Sequence, residues 1–109
     1  MEKDMSSFDD RGDAFENKFA HDAEVRFKVE ARRNKLLGLW AAEIMGKSGE
    51  SAEEYAKEVI KADFEEAGDE DVFRKVAGDL GDLKSDTEIR EMMSEKMTEA
   101  KKQIMEEAD

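Results

Sequence analysis

The sequence contains no cysteine and no proline, and only one tryptophan, one tyrosine and one histidine among its 109 residues. Without cysteine there is no disulfide staple, no thiolate nucleophile and no cysteine-based zinc site, so a reducing cytoplasm is the expected setting. Without proline, no position is barred from a helix interior. No stretch approaches the roughly 20 apolar residues that a spanning helix needs, and Met1–Ser7 carries acidic residues and no apolar run, which argues against an export signal. Positive charge is also in short supply: 18 basic against 30 acidic residues leave a net charge of -12. Such a surface repels phosphate backbones and anionic lipid, so nucleic acid and membrane are poor partners, and a basic or mixed protein surface is the better fit.

What is abundant is compatible with helix. Charged residues make up 44% of the chain, and most of the remainder is aliphatic or alanine, the residue types that tolerate a helix interior. The length suits one compact domain with one core. The class predicted is all-α.

Apolar residues recur at helical spacing in four places. Val25, Val29, Leu36, Trp40 and Ile44, widened by Leu37 and Ala41, predict a helix over about 22–45 that stops at Gly46. Ser51 and Glu54 read as a capping box opening a second helix, 51–67, whose stripe is Ala52, Tyr55, Ala56, Val59, Ile60 and Phe64 and whose end is Gly68. Asp69, Glu70 and Asp71 favour the start of a short third helix, 69–81, carrying Val72, Phe73, Val76 and Leu80. Ser85 and Glu88 repeat the capping-box signal before a fourth helix, 86–107, with Ile89, Met92, Met93, Met97, Ala100 and Ile104. Short joints between amphipathic helices predict a four-helix bundle over 22–109.

Residues 1–21 do not join that pattern. Phe8, Phe15 and Phe19 are helically spaced, but each four-residue step onward to Phe27 drifts by about 40°, which takes the phenylalanines off the stripe of the first helix. Gly12 weakens any helix here by about 1 kcal/mol relative to alanine, and so short an isolated helix is marginal in water. The expectation is an N-terminal arm, mobile in the free monomer, that orders in a groove of a partner; folding back on its own bundle is the alternative.

Several strings imitate chemical motifs without completing them. Gly46-Lys47-Ser48 resembles the end of a phosphate-binding loop, but Ala41 stands where a glycine is required and a helix precedes it where a strand should. Asp63 to Arg74 imitates a calcium loop, with Ala67 at the fifth position and Arg74 at the twelfth, where a bidentate glutamate belongs. Arg11-Gly12-Asp13 is a chance tripeptide in a chain with no export signal. His21 has no second histidine or cysteine near it in sequence, so it lacks the company for metal binding or nucleophilic catalysis, and it reads as a solvated residue whose titration would let it tune a hinge. Neither a catalytic nor a metal site is predicted, and the many carboxylates of residues 50–71 read as a solvated face. The methionines Met92, Met93, Met97 and Met105 read as core, with an adaptable surface as the alternative.

One run departs from the acidic background. Arg26, Lys28, Arg32, Arg33 and Lys35 stand against the single Glu30, whereas residues 47–82 hold 5 basic and 12 acidic side chains. The run is either a partner-facing patch or a solvated face that pairs with the acidic second helix.

Taken as strings, Phe8-Asp9-Asp10-Arg11, Phe15 to Glu24 (FENKFAHDAE), Glu30 to Glu43 (EARRNKLLGLWAAE) and Ala62 to Lys75 (ADFEEAGDEDVFRK) resemble the zeta subunit family, small inhibitors of alphaproteobacterial F-type ATP synthases. The resemblance implies a four-helix bundle with a mobile N-terminal inhibitory arm. It also implies that this arm, as a helix, occupies a catalytic interface between alpha and beta subunits near the gamma subunit and blocks rotation in the hydrolytic direction. Residues implied to make contact are Phe8, Asp9, Asp10, Arg11, Phe15, Lys18 and Phe19, and the setting implied is cytoplasmic, peripheral to the inner membrane through the synthase. No cofactor is expected, apart from weak nucleotide binding by the bundle in some members.

Overall fold

The computed structural model describes residues 22–64 and 68–108. These form four helices, α1 (Ala23–Ile44), α2 (Gly49–Ala62), α3 (Glu70–Leu80) and α4 (Asp86–Ala108), with a 3-10 turn at Gly81–Leu83 before the last. The chain is all-α and folds as the expected four-helix bundle.

α1 is the hub and contacts each of the other three helices. Its buried line runs Val29, Arg33, Asn34, Leu37, Gly38, Ala41 and Ala42. Of the stripe predicted from periodicity, Val29 and the widening residues Leu37 and Ala41 are fully buried, while Val25, Leu36, Trp40 and Ile44 lie half-buried along the flanks. The line is displaced because α1 is packed on more than one side, and close approach there selects small side chains over greasy ones. At Gly38 this is extreme: a Cβ would come 2.7 Å from the Ala56 Cα of α2 and 3.3 Å from a Val59 methyl.

Two clusters make up the interior. The larger joins Leu37, Ala41 and Ala42 to Tyr55 and Val59 of α2, Val72, Val76 and Leu80 of α3, and Ile89 and Met93 of α4. A smaller one, nearer the start of α1, consists of Val29, Ala100 and Ile104, flanked by Val25, Leu36 and Met97. Met92, Met93 and Met97 therefore belong to the core or its edge, whereas Met105 is half-buried outside either cluster. Each fully buried branched aliphatic side chain contributes roughly 1.5–3 kcal/mol.

The ends of the helices are chemically specified. After α1, Gly46 adopts φ 83°, its N–H bonds the Glu43 carbonyl and the Lys47 N–H reaches back to Ala42, the Schellman closure that only a residue tolerant of positive φ completes comfortably. The capping box of α4 forms as predicted: the Ser85 N–H donates to Glu88 Oε1 at 2.9 Å and the Glu88 N–H to Ser85 Oγ at 3.1 Å. That of α2 does not. The helix is under way at Gly49 behind an extended Ser48, so Ser51 already sits within the first turn.

α2 also ends five residues earlier than its hydrophobic period suggests. The Asp63 and Phe64 N–H groups bond Ile60 and Lys61, three residues back instead of four, and the last turn tightens out of the α-helix. Phe64 thereby leaves the predicted buried stripe and is 64% exposed. Side chains reaching across from α1 account for the departure.

Candidate partner-binding surface

The end of the bundle where residues 1–21 attach is governed by Asp22. Its backbone is extended (φ -108°, ψ 105°), and its carboxylate accepts from the N–H groups of Glu24 at 3.0 Å and Val25 at 3.2 Å. An N-cap of this kind ends the helix on its N-terminal side. The predicted inhibitory contacts Phe8, Asp9, Asp10, Arg11, Phe15, Lys18 and Phe19, the predicted mobility of the arm, and His21 all lie outside the described residues.

Little more than one turn from Asp22, Phe27 stands 52% exposed and stacks on Phe64, with ring centroids 5.7 Å apart and planes inclined by 25°. Below the rings lies a shallow cleft of about 130 Å³ lined by Glu30, Asn34, Ile60 and Asp63. Two exposed phenylalanines in contact, beside carboxylates, make the most conspicuous apolar feature of the described surface.

Beside the cleft, a polar network ties α1 to both sides of the α2–α3 connection. Arg33, 2% exposed, donates from Nε to Asn34 Oδ1 at 2.6 Å and from Nη2 to Asp69 Oδ1 at 2.9 Å. Asn34 in turn donates from Nδ2 to Asp63 Oδ2 at 3.0 Å. Asp63 and Asp69 flank the α2–α3 connection, so α1 fastens both ends of it, and this is what cuts α2 short. The calcium-like string is engaged in the same way: Asp63 accepts from Asn34, Asp69 from Arg33, and the buried Asp71 from Arg74. Among the described residues, no three His, Cys, Asp or Glu side chains are placed to hold a metal ion.

The basic run divides. Arg33 is interior and cannot serve as a partner-facing residue in this fold. Arg32 forks onto Glu107 of α4 at 2.6 and 3.1 Å and also bonds Gln103, which holds that carboxyl below its ordinary value. Lys28 lies 4.0 Å from Glu24, an exposed pair of small consequence. Arg26 and Lys35 remain exposed. Lys28, Arg32 and Lys35 share one helix face by their spacing, and the counterpart Arg32 meets there is α4, not the acidic second helix. The inward course of Arg33 was legible in one respect: it falls between Val29 and Leu37 in an unbroken four-residue spacing.

A second polar cluster fastens α2 to α3 near Lys47. The Tyr55 hydroxyl donates to Asp79 at 2.8 Å, and the Lys75 ammonium bonds the same carboxylate at 2.9 Å and Glu58 at 3.0 Å while lying 5.1 Å from the Tyr55 ring centroid. Burial disfavours the Asp79 anion, but its two donors outweigh burial and hold the carboxyl below its ordinary range. Glu30 behaves oppositely: burial first, then the Asp63 and Asp69 charges, raise it above 4.5 despite Arg33 and Arg26. An acid whose folded value is raised penalises folding above that value and ceases to do so below its unfolded one. Glu30→Gln should therefore raise the melting temperature at pH 7, with the advantage over the parent fading as pH falls to about 4. Melts of both proteins across that range measure it, and an equal offset at every pH would contradict the cause.

No helix of the described residues is long and apolar enough to cross a membrane. No curated protein matches the chain. A solved solution NMR structure is 58% identical, with a TM-score of 0.71, and the alignment covers 75% of this chain and 96% of that one. The family model described as ATPase inhibitor subunit zeta matches residues 5–103, a span that takes in both Phe8–Phe19 and the bundle. A chain matched over nearly its whole length, with a bundle whose predicted arm adjoins an exposed aromatic pole, belongs to the ATPase inhibitor subunit zeta family.

Proposed function

We propose that this protein suppresses ATP hydrolysis by F-type ATP synthase, acting through Phe8–Phe19 inserted as a helix at a catalytic interface between alpha and beta subunits close to gamma. Wedged there, the segment blocks rotation in the hydrolytic direction and leaves synthesis free. The protein is a non-catalytic regulator, cytoplasmic, and held at the inner membrane only through the synthase. The observation carrying this reading is that the family match begins before Phe8 and runs on through Phe19 into the bundle.

The energetics explain why a groove on the partner is needed. Three buried phenylalanines yield roughly 1.5–3 kcal/mol each, whereas ordering a dozen residues costs roughly 1–2 kcal/mol apiece. Backbone hydrogen bonds and ion pairs by Asp9, Asp10, Arg11 and Lys18 must make up the difference, and only an extended preformed surface offers them together. Deleting residues 1–19 is expected to abolish inhibition of hydrolysis by the isolated catalytic head, while circular dichroism still reports the bundle. Full potency after deletion would instead support a regulator acting through its bundle, for example by weak nucleotide sensing. Cross-linking from Phe15 replaced by a photoreactive analogue identifies the subunits touched.

A further inference from the structure

We propose that the Phe27–Phe64 cleft is the resting place of this chain's own Lys18-Phe19, with the Phe19 ring stacked against the exposed pair and the Lys18 ammonium among the carboxylates of Glu30 and Asp63. The cleft supplies an aromatic wall on one side and negative charge on the other, so its occupant should be a phenyl ring next to a cation. Of the three arm phenylalanines only Phe19 follows a lysine; Phe8 follows Ser7 and Phe15 follows Ala14.

Reach permits it. Phe27 lies five residues into the chain from Asp22, a helical rise of about 7.5 Å, and the three residues from Phe19 to Asp22 span up to about 10–11 Å. The helix ends on its N-terminal side at the extended Asp22, which a return toward Phe27 requires. The charge also asks for a cation: Glu30 and Asp63 line the same cleft, and Arg33 is committed to Asp69 and Asn34.

A second copy of the chain fits less well. It would bring a net charge of -12 toward carboxylates, and two rings over a shallow cleft fall far short of the roughly 1,200 Å² of a stable interface. The gain from one ring is comparable to the cost of ordering three residues, so docked and released forms lie near balance. Docking does not depend on what the arm inhibits; its consequence, that the cleft restrains the arm until the partner groove takes it, rests on the function proposed above.

NMR on the full-length free protein tests the docking. Cross-peaks between the Phe19 ring and those of Phe27 and Phe64 are expected, along with displacement of the Phe27 and Phe64 ring resonances by Phe19→Ala or Lys18→Glu and not by Phe8→Ala. Amide exchange at Phe19 to His21 should quicken about twofold in Phe64→Ala, the gain available when an open form already near half populated becomes dominant. Rings that ignore both arm substitutions, or that move with protein concentration as a dimer would require, overturn the proposal. If docking is seen but Phe64→Ala inhibits hydrolysis no faster than the parent, restraint of the arm is refuted while docking stands.

Discussion

Replacing Gly38 with valine is expected to destabilise the bundle by about 3 kcal/mol, the upper end of the overpacking range. A Cβ at this position would come 2.7 Å from the Ala56 Cα and 3.2 Å from its Cβ. The first of these is backbone, so no rotamer change relieves the contact and α2 must be pushed from α1 as a body. Alanine regains about 1 kcal/mol of helix propensity and should cost less; valine adds two methyls aimed at the same wall and forgoes part of that propensity. For a domain of this size, 1 kcal/mol corresponds to about 4–8 °C, so thermal melts should place Gly38→Val roughly 12–24 °C below the parent with Gly38→Ala between. A valine variant melting with the parent would mean that α2 can slide away without loss.

The second large effect concerns Arg33. Substitution by alanine is expected to cost about 3 kcal/mol, in the range for truncating a large buried side chain to alanine. Three things are lost together: the packing of a side chain that is 2% exposed, the bond to Asp69, and the bond that orients the Asn34 amide toward Asp63. Arg33→Met separates packing from charge. Methionine fills the channel without bringing a charge that must be desolvated, and Asp69, with half its side chain exposed, can return to water. Recovery of more than half of the alanine loss is therefore expected, as chemical denaturation will show. If methionine is as damaging as alanine, the guanidinium fork is the stabilising element and the stem is incidental. Either variant should also loosen the connection bearing Phe64 and so disturb the aromatic pair.

Much of this was readable from the residues. The number of helices, the glycine stops at positions 46 and 81 and the box at Ser85 and Glu88 are local matters, decided within four or five residues. The string resemblance gave the family because it needs no three-dimensional knowledge. What escaped was tertiary. Periodicity placed Phe64 in the core because it counts a helix as continuing while spacing holds, whereas Asn34 and Arg33, about thirty residues away, halt it by engaging Asp63 and Asp69. Hydropathy could not show that Arg33, Asn34 and Gly38 belong to the buried line of α1. The same blindness made Arg33 a member of a surface patch. The proposed arm contacts rest on resemblance alone, since their shape depends on a groove in another protein.

The division of the interior into two clusters has a kinetic meaning. The larger draws on all four helices, but the cluster of Val29, Ala100 and Ile104 is made by α1 and α4 alone. Opening it separates one helix end from another and leaves the rest of the bundle packed, so the amides of the first two turns of α1 and the last two of α4 should exchange through a low-energy opening well below global unfolding. The tier that yields first is the one to which the arm is attached. A load applied at the start of α1 would thus be absorbed by reversible fraying of this tier, and the bundle would act as a compliant tether that survives load instead of a rigid plug that either holds or breaks.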